Sequence, residues 1–380
     1  MKTKKTILVL CDWFLPGYLA GGPIQSVAAL THHLADEFNF KIITSDTDFK
    51  SEKPYHEVKS NTWTNFQNRE VYYISRENMH AATLEKLIRE TPHDVLYLNS
   101  LFSKYFTIIP LQLKRKGIIN SPLVLAPRGM LSDGAFQTKT FKKKLFLLYA
   151  AAIGLFKNIT WQATSPVETA EIIRRIGPDT VVREASNLPN VPARTQTIEK
   201  KAGELKLCTV ARICETKNIL FAVEAIIACK AGRVELDVYG PVEDAAYWEK
   251  CQALAKDAPA NISLKYMGSI PPSRVAEAIS EHHVFFLPTR NENFGHGIVE
   301  AMLCGRPVII SDQTPWRQLH EHQAGYDLPL NDKNAFVHAI ESYISMTDSD
   351  YRQVGENTYQ YITHKLSIEH IRQAYIKLFS

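Results

Sequence analysis

Two glutamates stand at either end of 292-ENFGHGIVE-300, and the residues between them suit an open helix start. Gly295 and Gly297 carry no side chain to cover main-chain N–H groups, and the positive end of the helix dipole would lie there. Such an end favours an anion or the hydroxyls of a polar ligand. Glu292 is expected in the loop before the helix and Glu300 one to two turns inside it, so the two carboxylates can perform different tasks. Acidic residues also cap and solvate helix starts, and for either glutamate taken alone that reading stays open. Arg212 and Lys217 in 209-TVARICETKN-218 follow a strand and precede a helix. Two permanent cations there suit a diphosphate, each neutralising a phosphate oxygen. In 17-GYLAGGPIQS-26, Gly21 and Gly22 let the backbone approach a phosphate or sugar closely. This loop has neither the G-x-G-x-x-G of a nicotinamide site nor the Gly-Lys-Ser/Thr of a P-loop.

These residues need strand ends to stand on. In the first half the expected strands are 6-TILVLC, 40-FKIITS, 70-EVYYIS, 94-DVLYLN, 122-PLVLAP and 158-NITWQAT. Helix patterns such as 24-IQSVAALTHHLAD and 81-AATLEKLIRE lie between them. Strands alternating with helices predict parallel βαβ units and doubly wound sheets. After the proline-bearing, polar 187-NLPNVPARTQTIEKKAGE the pattern starts afresh. It runs through 206-KLCTVARI, the helix 218-NILFAVEAIIACKA, then 234-VELDVYG, 262-ISLKYMG, 284-VFFLPT and 307-PVIIS. The fold class is therefore α/β, with two Rossmann-like doubly wound domains, residues 1–192 and 193–363, expected to face each other across a cleft. Residues 364–380 form an amphipathic helix pattern. Ligands of such sheets bind beyond the carboxyl ends of the strands, which is where the residues above fall.

Composition narrows the class. At 380 residues the chain is too long for one typical core. Its formal charge of +4 argues against a nucleic-acid partner, which would call for a concentrated basic face. The six cysteines are scattered without a C-x-x-C pair and read as buried thiols of a reducing compartment. The apolar run after the first lysines is broken by Asp12 and reads as a first strand rather than a signal peptide, and no segment approaches a membrane span. A cytoplasmic location is expected. No metal site is expected: 46-DTD-48 reads as an ordinary loop, and His320 and His322 as a surface pair without a third ligand. His32 and His33 read as helix-surface residues, His282 and His283 as strand-edge residues. In 139-KTFKKKLFLLYAAAIGLFK-157, four lysines precede an uncharged run. A helix packed on its sheet accounts for part of it, and its basic aromatic start also suits an anionic bilayer surface.

The order of these pieces carries a resemblance. The E-x7-E of 292-ENFGHGIVE-300, continued by 301-AMLCGRPVIIS-311, with Arg212 and Lys217 upstream and 21-GG-22 near the N-terminus, resembles the family 4 (group 1) retaining glycosyltransferases of the GT-B fold. The likeness spans nearly the whole chain. It implies a nucleotide-sugar donor, UDP- or GDP-linked, and no further cofactor. Glu300 would hold the ribose hydroxyls, and Glu292 the donor sugar, helped by backbone N–H groups of Phe294, Gly295 and His296. Arg212 and Lys217 would bind the diphosphate, the base would lie near Met267 in 266-YMGS-269, and the last helix would pack back on the N-terminal domain. It further implies a glycan or lipid-linked acceptor. Two positions depart from the family: Ala211 stands where a glycine precedes the arginine, and no histidine follows the strands ending at 97-YLNSLFS and 125-LAPRGML. Asn99 and Arg128 stand there instead and are expected to line the cleft on the acceptor side, the alternative being that Arg128 only braces its loop. A sugar-nucleotide 2-epimerase of the same fold and a non-catalytic sugar-nucleotide binder remain compatible with these residues.

Overall fold

The computed structural model describes residues 4–137, 140–192 and 198–380. The chain divides into two compact units: Met1–Leu188 together with Ile368–Ser380, and Pro189–Ser367.

In unit 1 the strands are β1 (Thr6–Leu10), β2 (Asn39–Ser45), β3 (Trp63–Phe66), β4 (Arg69–Ile74), β5 (Val95–Asn99), β6 (Leu123–Ala126), β7 (Thr160–Ala163) and β8 (Val182–Glu184). Their order in the sheet is β3-β4-β2-β1-β5-β6-β7-β8, parallel throughout except for the antiparallel β3–β4 edge. Central strands such as Val95–Asn99 are buried at every position, as a sheet covered by helices on both faces requires. β1 pairs with β2 on one side and with β5 on the other. The chain therefore reverses its direction of travel between β1 and β5, which opens a crevice at their carboxyl ends.

The helix Ile368–Leu378 belongs to this unit. Arg372 Nη2 donates to Asp36 Oδ2 at 2.7 Å, Gln162 Nε2 donates to Tyr375 Oη at 2.7 Å, and the Phe379 ring meets Phe38 at 5.5 Å.

Unit 2 repeats the plan with β9 (Glu204–Val210), β10 (Arg233–Tyr239), β11 (Ile262–Gly268), β12 (Val284–Leu287), β13 (Val308–Ser311) and β14 (Gly325–Leu328). The order is β11-β10-β9-β12-β13-β14, all parallel, and the reversal lies between β9 and β12. Its core gathers Leu207, Val223, Leu236, Phe286, Ile309 and Phe336. With two doubly wound Rossmann-like units, the fold class is the one the strand pattern predicts.

His282 and His283 correct the strand-edge expectation, since both are buried. His282 directs Nδ1 at Ala278 O (2.7 Å) and Nε2 at Asp237 Oδ2 (3.1 Å). Burial alone would lower its pKa, but neighbouring Cys208 and Asp237 hold it up to about 10. His283 instead accepts from Lys206 N at 3.0 Å, and burial lowers it to about 4. The six cysteines are free thiols.

Candidate active site

The helices that follow β1, β9 and β12 begin at Gly21, Asn218 and Gly295, and none of the three has a side-chain cap. Elsewhere Ser165, Asp244, Asp332 and Thr347 each accept a main-chain N–H at a helix start. Ile108 and Pro271 also open helices without a side-chain cap, but the three ends after β1, β9 and β12 lie at strand ends beside the two reversals, where a ligand can take the place of the cap.

In unit 2, β9 delivers Arg212 and Lys217 and β12 delivers Glu292. Lys217 Nζ donates to Glu292 Oε2, and both side chains are largely buried. Residues far apart in the chain thus form one ion pair at the reversal. Glu292 N is fixed by Gln313 O at 2.9 Å. Arg212 points its Nη1 to Glu243 Oε2 at 2.6 Å. The two expected diphosphate cations therefore both rest on carboxylates. Glu243, in the loop after β10, was not foreseen, because an acid in 241-PVED-244 looks like any solvated turn.

Gly295 has φ 77°, a left-handed value that a side chain would strain, and opens the helix His296–Leu303. A Cβ on Gly297 would meet Val210 O at 3.0 Å, so its absence lets the helix start lie close against the end of β9. Phe294 is buried, with its ring 5.6 Å from Trp316 and its carbonyl accepting from Trp316 Nε1 at 2.6 Å. Its side chain packs in the core, leaving only its backbone for a ligand. His296 packs its ring on Phe294 at 4.8 Å.

Glu300 lies inside the same helix and is 8% exposed. Burial raises its pKa to about 7, opposed by a hydrogen bond with Asn190, a second residue that sequence reasoning missed. Met267 is 46% exposed on the edge strand β11. That strand end joins the rim, since Gly240 N donates to Gly268 O and Ala211 N to Tyr239 O, both at 2.9 Å.

Gly21 and Gly22 belong to unit 1, at the start of Gly22–His33. Asp48 of the 46-DTD-48 loop accepts Tyr18 N at 2.8 Å and Leu19 N at 3.1 Å, so its carboxylate braces the glycine loop. Asp46 accepts from Ser60 Oγ at 2.7 Å. His320 and His322 are exposed; His320 stacks on Tyr326, and His322 meets Tyr361 at a tilt.

Arg128, after β6, donates to Asn99 Oδ1 on the neighbouring β5 at 2.6 Å. Asp12 follows β1 and accepts from Ser103 Oγ at 2.7 Å, and burial raises it to about 6. It too was missed as a site residue, although its place at the end of 6-TILVLC was the available signal.

Of the 139–157 segment, Thr140–Ala152 is helical, and Lys139 lies outside the described residues. Phe141 (79% exposed), Leu145, Leu148 (69% exposed) and Tyr149 share its outer face, beside exposed Lys142 and Lys144. Lys143 departs from the expected basic cluster and lies over the Phe102 and Phe136 rings. Among the described residues no helix is long and apolar enough to cross a membrane.

Residues 192–361 match the model of the family described as "Glycosyl transferases group 1", which covers most of unit 2. No curated protein matches the chain. Among solved structures, HepE of Anabaena in complex with UDP and glucose aligns with a TM-score of 0.71 and 14% identity, covering 98% of this chain and 99% of that one. Sucrose-phosphate synthase of Thermosynechococcus elongatus aligns at 0.68 and 20% identity, with 99% of both chains covered. WaaG, a glycosyltransferase involved in lipopolysaccharide biosynthesis, aligns at 0.69 and 12%, over 98% of this chain and 99% of that one. These likenesses show the fold, which is GT-B. The family match supports a group 1 glycosyltransferase.

Proposed function

We propose that the chain is a retaining, metal-independent hexosyltransferase. It would move a hexosyl group from a UDP- or GDP-sugar to a glycan or lipid-linked saccharide in cell-surface polysaccharide or glycolipid assembly. The observation that carries this reading is the Lys217–Glu292 contact at the reversal of unit 2, beside an uncapped helix start.

Cleaving the anomeric C–O bond leaves charge on the nucleoside diphosphate. Arg212, Lys217 and the N–H groups at the start of His296–Leu303 can take that charge without reorganising. The sugar turns oxocarbenium-like, and Glu292 can orient its hydroxyls and balance its charge. The acceptor hydroxyl attacks from the face the phosphate leaves, and its proton passes to the departing phosphate oxygen. Glu300 would hold the ribose, Met267 would line the base, and Gly21 and Gly22 are further donor-binding candidates.

HepE was crystallised with UDP and with glucose, which makes UDP-glucose the first donor to try. Product analysis with a panel of UDP- and GDP-sugars and extracted lipid-linked saccharides should yield a glycoside. An epimerised donor, or unchanged donor across the panel, would overturn the reading.

The exposed apolar face of Thr140–Ala152, flanked by Lys142 and Lys144, supports peripheral contact with an anionic bilayer at the inner face of the cell membrane. Sedimentation with vesicles containing anionic lipid should recover the wild type in the pellet and Phe141→Ser/Leu148→Ser in the supernatant. Equal recovery of both proteins in the supernatant removes the membrane contact.

A further inference from the structure

Arg128 is a cation without a carboxylate. Its backbone has φ 55°, left-handed for a residue that is not glycine, so the surrounding structure holds it in place. Nε donates to Asn99 Oδ1 at 3.2 Å, Nη2 donates to Asn99 Oδ1 at 2.6 Å and to Tyr97 Oη at 2.8 Å, and Nη1 donates to Asn187 Oδ1. Every one of these acceptors is a neutral oxygen. Among the described residues no ion pair joins Arg128. The buried carboxylate Glu168 lends its field from beyond ion-pair distance. It accepts from Gly129 N at 2.6 Å and from Thr164 N at 2.8 Å.

The arrangement is braced from behind. Tyr97 Oη donates to Gln162 Oε1, and Gln162 Nε2 donates to Tyr375 Oη at 2.7 Å and Ala185 O at 2.7 Å. Tyr97, Gln162 and Tyr375 are all buried, so the guanidinium has no freedom to swing toward a distant acid.

One donor is left over at this point. Tyr375 also hydrogen-bonds the guanidinium, and Asn99 Oδ1 spans its Nε–Nη2 edge. The unused donor is Asn99 Nδ2, which is buried with no partner on a residue only 3% exposed. It belongs to the same amide whose oxygen takes Arg128, so it lies beside the guanidinium at the carboxyl ends of β5 and β6. A buried donor with nothing to bond is costly unless something arrives to accept it. Arg128 itself is partly exposed, which leaves a way in.

We propose that Arg128 and Asn99 form an oxyanion subsite of unit 1, and that the acceptor presents a carboxylate or a phosphate to it. The inference rests on the glycosyl-transfer reading for the word acceptor, whereas the subsite itself rests on the geometry above. A neutral hydroxyl would satisfy Asn99 Nδ2 but leave the guanidinium uncompensated, while an oxyanion answers both.

The test uses the full chain saturated with UDP, so that unit 2 is already occupied. Calorimetric titrations with D-glucuronate, inorganic phosphate and D-glucose separate the two oxyanion sources from a neutral sugar. At least one oxyanion should bind roughly tenfold or more tightly than glucose, and Arg128→Gln should abolish the difference. Because that variant can fail to fold, Asn99→Asp is the decisive companion. It keeps the oxygen that holds Arg128 and supplies the missing negative charge, so it should raise Tm while eliminating oxyanion binding. Equal binding of glucose and both oxyanions, or oxyanion binding that survives Asn99→Asp, overturns the subsite. Failure of the functional reading looks different: oxyanion binding would persist while no sugar nucleotide is turned over.

Discussion

Where the strand order of unit 2 reverses, between β9 and β12, both site cations are matched by acids, Lys217 by Glu292 and Arg212 by Glu243. Beside the reversal of unit 1, Arg128 is held by amide and phenol oxygens, and Asp12 by a serine hydroxyl. The same sheet plan therefore supports two treatments of charge. A matched pair is close to neutral at rest, and an incoming phosphate can replace the carboxylate with little change in the cation's field. An unmatched cation keeps a standing attraction for an anion and relies on rigid neutral acceptors to hold its shape. The first suits a leaving group whose charge appears during reaction, the second a group already charged on arrival.

The largest test of this contrast lies at Glu292. Glu292→Ala should lower transfer by roughly a hundredfold or more, if the carboxylate acts on the sugar in the transition state. Glu292→Gln keeps the shape and strands Lys217 without its partner, so it should also lose stability, by roughly 1–3 kcal/mol since the pair is largely buried. Combining it with Lys217→Met should recover the stability but none of the activity. Initial rates and urea unfolding of the two single variants and the double variant decide it. Recovery of activity in the double variant would reduce the pair to a strut.

Each reversal also holds a carboxylate displaced upward by burial, Glu300 to about 7 and Asp12 to about 6. The sign follows from linkage. A raised folded value means that the native state holds the proton more tightly than the unfolded chain does. The associated stability is complete below the ordinary values of 4.5 and 3.8, falls as pH rises, and is gone above about 7 and about 6 respectively. Glu300→Gln should flatten the loss of stability between about pH 4.5 and 7, worth at most about 3 kcal/mol. Asp12→Asn should flatten a smaller part at lower pH, since Asp12 is more exposed. Tm measured across pH 4–8 for the ligand-free variants reads both, and wild-type slopes retained in them would remove the burial argument.

The strands of both sheet centres were legible because parallel strands covered on both faces must be apolar at successive positions, as in 94-DVLYLN and 284-VFFLPT. β3, β8 and β14 were not, because short edge strands such as Val182–Glu184 are mostly open to water and carry no such signal. For the site, the offsets of Glu292, Lys217 and Arg212 from strand ends could be read, since glycines and β-branched runs mark those ends. Their partners could not. Glu243 and Asn190 sit in loops whose composition says only that they are exposed, and contact across many residues has no local signature. The spare donor on Asn99 depends on counting every hydrogen bond around one amide, which only coordinates allow.

The smallest expected effect is also the one that separates matched from unmatched charge most cleanly. If Glu243 merely stands in for phosphate on Arg212, removing it should help the nucleotide. The Arg212–Glu243 contact is partly exposed on both sides, so its own strength is modest, roughly 1 kcal/mol or less. Glu243→Gln should therefore tighten UDP binding by about two- to fivefold, while Arg212→Ala weakens it by about tenfold. The gain should shrink as salt rises, because screening already relieves the competition. Calorimetry at low and high ionic strength resolves differences of this size. If Glu243→Gln weakens UDP instead, the carboxylate positions the guanidinium for phosphate, and unit 2 then holds its cation as rigidly as unit 1 holds Arg128.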